Sequence, residues 1–161
     1  MTTPLMMLAI LAGPISIAWL LGLIGRTFNL RSAGALGLAL VFLFTASGHF
    51  IQTDALADML PTFVPARVPL IYLTGLLEIG LAVGIALPST RRVAGIGAII
   101  TLVLFFPANI YAAMNSIGTG GHQWGPIYLL IRAPLQAILI FWAWWFTVRS
   151  VGKHFIDGKF H

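Results

Sequence analysis

At 161 residues, 59% hydrophobic and only 8% charged, with a mean hydropathy of +0.97, the chain lies far outside the composition of a water-soluble domain. Nine Lys and Arg against four Asp and Glu give a net charge of +5, but the basic residues sit at the ends of apolar runs instead of forming a stripe, which argues against a nucleic-acid surface. The absence of cysteine excludes thiol redox chemistry, thiolate-held clusters and disulfides within the chain.

Apolar runs predict an all-α polytopic membrane bundle forming one domain over residues 1–161, with five transmembrane helices at about 5–24, 33–50, 68–87, 93–113 and 124–148. The N-terminus lacks the basic start of a secretory signal, so the first run reads as a retained helix, and its Pro14 is tolerable among neighbouring helices. A short turn from Gly25 to Arg31 makes the second span its antiparallel neighbour. That span ends in Ser47, Gly48, His49 and Phe50. Residues 51–66 follow, where Thr53 can cap a short helix and Pro61 and Pro65 stop it. This predicts an interfacial helix along the membrane, with Asp54 and Asp58 on its solvated side.

The third span carries Glu78, well over ~10 Å from either surface at a rise of roughly 1.5 Å per residue. Gly80 and Gly84 form a small-xxx-small pair on its other side. After the basic turn at Arg91 and Arg92, the fourth span holds Phe105, Phe106, Pro107, Ala108, Asn109 and Ile110 near its far end. A glycine-rich polar loop over 115–123 leads to the fifth span, whose Tyr128, Arg132 and Gln136 recur every four residues and form a polar stripe. Trp142, Trp144 and Trp145 suit an aromatic belt at its other end. With five spans, Arg26, Arg31, Arg91, Arg92, Arg149, Lys153 and Lys159 fall on one side and Arg67 on the other, which predicts an outer N-terminus and a cytoplasmic C-terminus.

Ionisable groups inside a bilayer face the protein interior and find partners or do chemistry. A direct Glu78–Arg132 pair is the simplest solution for both residues, and it serves equally as a structural brace or as part of a site. His49, with Thr45 a turn before and Gln52 near it, and Asn109 lie at similar outer depth. His49, Glu78, Asn109, Tyr128, Arg132 and Gln136 therefore form the candidate ligand-binding set, lining an outward-opening pocket suited to a lipophilic carbonyl compound such as a quinone. The bland alternatives are an interfacial histidine and an asparagine that glues helices. Haem fits poorly with a single histidine near a span, and no metal-ligand spacing, phosphate loop, nucleophile elbow or paired catalytic carboxylate appears. No intrinsic cofactor is evident.

Gly48-His49-Phe50, Met59-Leu60-Pro61 with Pro65, Tyr72-x-x-Gly75-x-x-Glu78, the Arg91-Arg92 turn and Phe106-Pro107-Ala108-Asn109-Ile110 resemble the DoxX-like family of small integral membrane proteins over roughly residues 35–147. The resemblance implies a four-helix core plus an added N-terminal span, in a bacterial-type inner membrane. It implies two functional classes: a small accessory subunit of a quinone-linked membrane redox system, or a non-enzymatic assembly chaperone or scaffold that binds partner transmembrane helices. Membrane lipid and other membrane protein subunits are the partners either class implies, and enzymatic activity of the chain alone is left open.

Overall fold

The computed structural model describes residues 2–25, 29–117 and 120–149. Arg26, Lys153 and Lys159 of the charge pattern, and the tail histidines His154 and His161, lie outside the described residues. Among the described residues, five helical segments are long and apolar enough to cross a membrane. They are α1 (Thr2–Leu23), α2 (Leu30–Ile51), α4 (Arg67–Ala86), α5 (Arg91–Met114), and a composite fifth element built around α6 (Leu129–Ala143). The six-residue α3 (Thr53–Asp58) fills the stretch expected to hold a short helix. No strand occurs among the described residues.

The start of α2 follows from local chemistry. Asn29 caps α2 by accepting from the backbone N–H groups of Arg31 and Ser32, which removes two orphan donors. The fifth element departs from the expected continuous helix. It enters as a 3-10 turn (His122–Tyr128) in which Gly125 adopts φ 73° and ψ −158°, and it leaves as a π-helical turn (Trp144–Val148). Pro126 disfavours helical backbone at the residue before it, and only glycine adopts that conformation without strain. The chain therefore bends at Gly125, bringing His122 back toward α5.

Helices α2, α4, α5 and α6 pack as a ring in that order, so α4 and α6 are diagonal, as are α2 and α5. α1 packs outside the ring, mainly along α2. The bundle is divided lengthwise. One half is an apolar core of Leu38, Val41 and Phe42 from α2, Ala82 and Ile85 from α4, Ala94 and Ala98 from α5, and Leu135 and Leu139 from α6, joined by Met7 and Leu11 of α1. In the other half polar side chains from all four ring helices turn inward.

At the apolar end, arginines tie the helix termini together. Arg31 donates to the carbonyls of Phe146 and Arg149, and Arg91 donates to those of Ile85 and Ala86 and to the Ser32 hydroxyl. Backbone carbonyls at helix C-termini have no intrahelical donor, and cations there are favoured by the helix dipole. Arg149 lies over the Trp145 ring at 4.0 Å from its centroid.

Candidate functional site

The site begins with a close approach of two helices. A Cβ built on Gly75 would lie 2.8 Å from the His49 Cβ, so glycine at this position lets α2 and α4 come together where their polar residues face. The imidazole then reaches α4. Its Nδ1 is 3.0 Å from the Ile71 carbonyl and 3.0 Å from the Thr74 hydroxyl. A carbonyl only accepts, so Nδ1 carries a proton, and Nε2 is left to face the Glu78 carboxylate. The Nε2–Oε2 separation is 3.6 Å, an ion-pair distance but too long for a hydrogen bond.

Glu78 is 5% exposed, and its Oε2 is buried without a hydrogen-bond partner. The Thr45 hydroxyl lies beside the carboxylate while donating to the carbonyls of Val41 and Phe42 one turn back. Arg132, on the diagonal helix, does not form the expected direct pair. Glu78's ion-pair partner within 4.0 Å is His49, and the Arg132 Nε is itself buried without an acceptor. The guanidinium nevertheless lies near enough for its charge to act on both Glu78 and Tyr128. The geometry explains the difference. α4 and α6 face each other across the ring, whereas α2 and α4 are in contact, so histidine is the nearer partner.

Gln136 stands one turn from Arg132 on α6 and is buried. Its Nε2 donates to the Leu102 carbonyl of α5, and its Oε1 is left without a donor. Asn109 does not join His49, as expected from depth alone. Its Nδ2 donates to the Phe105 carbonyl a turn back, and its Oδ1 is 3.1 Å from His122 Nε2. The His122 ring meets Tyr128 edge-on at 4.9 Å between centroids. Gln52, expected near His49, is exposed and ends α2.

The six expected residues thus fall into two linked groups along one axis. His49 and Glu78 form one, Asn109 and Tyr128 form the other around His122, and Arg132 interacts with a member of each, with Gln136 beneath it. His122 and Thr74 were missed. His122 sits in what reads as a polar loop, and the signal for it was Gly125-Pro126, which folds that loop back. The axis is packed, not an open pocket: Asn109 is 6% and Tyr128 3% exposed. A cleft of about 380 Å³ lies elsewhere, between α3 and the start of α4, lined by Asp54, Asp58, Arg67 and their neighbours. No group of three or more metal-ligating side chains occurs among the described residues.

The profile of a family described as Domain of unknown function (DUF8561) matches residues 38–147. The chain belongs to this family. Neither a curated protein nor a solved structure matches it. The DUF8561 segment contains the whole polar axis from Thr45 to Gln136, whereas α1 and the first turns of α2 lie outside it.

Proposed function

We propose that this DUF8561 protein is a multi-pass membrane protein whose polar axis receives the head group of a lipophilic carbonyl compound of the quinone class, and that it acts as a small accessory subunit of a membrane redox system. The observation that carries this reading is the buried His49–Glu78 pair with Arg132 across the bundle axis. Charged groups are costly at such depth, and Glu78 Oε2 and Arg132 Nε, left without hydrogen-bond partners, are unlike a brace optimised only for stability. Among the three axis residues of the fifth element, Tyr128 and Gln136 are buried while Arg132 is partly exposed, which leaves its side chain as the approach for a head group.

The resemblance of its short motifs to DoxX-like proteins supports the same placement, and the arginines gathered at the apolar end support a cytoplasmic face there. In this reading any thiol or thiolate-held redox centre belongs to a partner, since the chain has no cysteine. A second reading is a scaffold that binds partner helices. It is favoured by α1, which lies outside the DUF8561 match and turns Ile17, Trp19, Leu20 and Leu23 outward.

The test is mass spectrometry of lipophilic molecules and proteins retained on the chain after gentle extraction from its own membranes, against Glu78→Gln. A quinone retained by the unaltered chain and lost in the variant supports the first reading. Protein partners retained by both, with no quinone on either, support the scaffold.

A further inference from the structure

The arginine end of the bundle gathers positive charge with nothing beside it, among the described residues, to offset it. Arg31 lies in the first turn of α2 and Arg91 opens α5, and Ser32 joins them: Arg91 Nη1 donates to the Ser32 hydroxyl at 3.2 Å, next to Arg31 in the chain. The two positive charges act on one another. Neither side chain can swing away without breaking its ties, because Arg31 is held by the carbonyls of Phe146 and Arg149, and Arg91 by those of Ile85 and Ala86. Arg92 and Arg149, both exposed, add to the same end.

The described carboxylates are all elsewhere. Asp54 and Asp58 are on α3, beside the opposite end of α4, and Glu78 lies within α4. Arg31 donates two hydrogen bonds and Arg91 three, every one to a neutral oxygen, so half of the N–H groups on the two guanidinium forks are left over. Both side chains are partly exposed at the limit of long apolar helices, the depth of lipid head groups. Two like charges fixed near each other, with unused donors, make a seat for an anion, and guanidinium forks match the oxygens of phosphate in geometry.

The neighbourhood favours a lipid over a free anion. Trp144 and Trp145, at the same end, are 44% and 42% exposed, as indoles at head-group level are. Just beyond Arg92, Val93, Ile96 and Ile100 turn outward from α5 and offer acyl chains an apolar track.

We infer that Arg31 and Arg91 together bind the phosphate of an anionic membrane lipid, which bridges the starts of α2 and α5. The inference rests on the multi-pass placement proposed above and is independent of what the polar axis binds.

The test is native mass spectrometry of the full chain in detergent, titrated with palmitoyl-oleoyl phosphatidylglycerol, with phosphatidylcholine of the same chains, and with inorganic phosphate. Phosphatidylglycerol is expected to bind at least ~10-fold tighter than phosphatidylcholine. Arg91→Gln should lose most of that preference, and Arg67→Gln, at the opposite end, should keep it. Because Arg91 also ties carbonyls, the decisive variant is Ser32→Asp, which sets a carboxylate between the two guanidinium groups in a first helical turn, where an acid is favoured. Ser32→Asp is expected to raise the unfolding temperature and abolish the preference. Equal affinity for the two lipids, or a preference that survives Ser32→Asp, overturns the inference. Displacement of phosphatidylglycerol by an equal concentration of inorganic phosphate assigns the seat to a free anion and overturns the lipid. An acidic partner protein retained in place of lipid, and lost in Ser32→Asp, overturns it as well. None of these results touches the quinone reading, whereas a chain that stays folded and dispersed without detergent would sink the membrane placement itself.

Discussion

His49 and Glu78 face each other across the α2–α4 contact with Nε2 3.6 Å from Oε2, and the opposite face of the same imidazole is fixed by the Ile71 carbonyl. The ring cannot turn away without losing that bond. Removing one partner leaves the other's polar group buried. His49→Leu is therefore expected to lower stability by about 3 kcal/mol, whereas His49→Leu combined with Glu78→Leu recovers most of the loss. Chemical or thermal unfolding of the three variants in detergent measures this, and equal destabilisation in single and double variants would refute it.

Gly75 and Gly80 make a matched comparison on α4. A Cβ at Gly75 meets His49, while one at Gly80 meets nothing within 4 Å. Gly75→Ala is expected to cost about 1–3 kcal/mol by pushing α2 from α4. Gly80→Ala should be neutral or gain up to about 1 kcal/mol from helix propensity. Unfolding midpoints of the two single variants decide it.

The Asn109–His122 bond ties the bent entry of the fifth element to α5. Asn109→Ala should cost about 1–3 kcal/mol, since it leaves a polar group of His122 to find another arrangement. In a double-mutant cycle with His122→Ala, a coupling of about 1 kcal/mol is the expected outcome. Additive losses would show that the two side chains act independently.

A chain without cysteine lends itself to labelling. Ser89, exposed in the turn between α4 and α5, and Asp58, exposed at the end of α3, are at opposite ends of α4. In intact cells Asp58→Cys is expected to react with a membrane-impermeant maleimide, and Ser89→Cys only after the membrane is opened. The reverse pattern would invert the orientation proposed from the arginines.

Much of the architecture was legible because long apolar runs favour long helices, and each run became helical within a few residues of its expected limits, the fifth with a change of pitch at both ends. The second span, expected at about 33–50, extends over Leu30–Ile51 because Asn29 supplies a cap that hydropathy does not register. The site was legible as a set of residues but not as a set of pairs. Depth suggested that Glu78 would meet Arg132 and that Asn109 would join His49. Pairing instead follows which helices are adjacent in the ring, and periodicity within single helices carries no information on ring order. Of the small-xxx-small pair, a Cβ at Gly84 would meet Ala94 of α5, while one at Gly80 would meet nothing within 4 Å. The bend at Gly125 was hidden because an apolar run looks the same whether its backbone is α-helical throughout or changes pitch at both ends.

The arginine ties at the apolar end bear on the order in which the protein is made. Arg31 enters the growing chain early, yet the carbonyls it binds belong to Phe146 and Arg149, 115 and 118 residues later. Until the ribosome has delivered the final helix, that guanidinium must be held by water or lipid phosphate. Closure of the bundle is thereby deferred until that helix is made, and a nascent chain stopped short of Phe146 would leave its second helix unlatched and open to quality-control proteolysis.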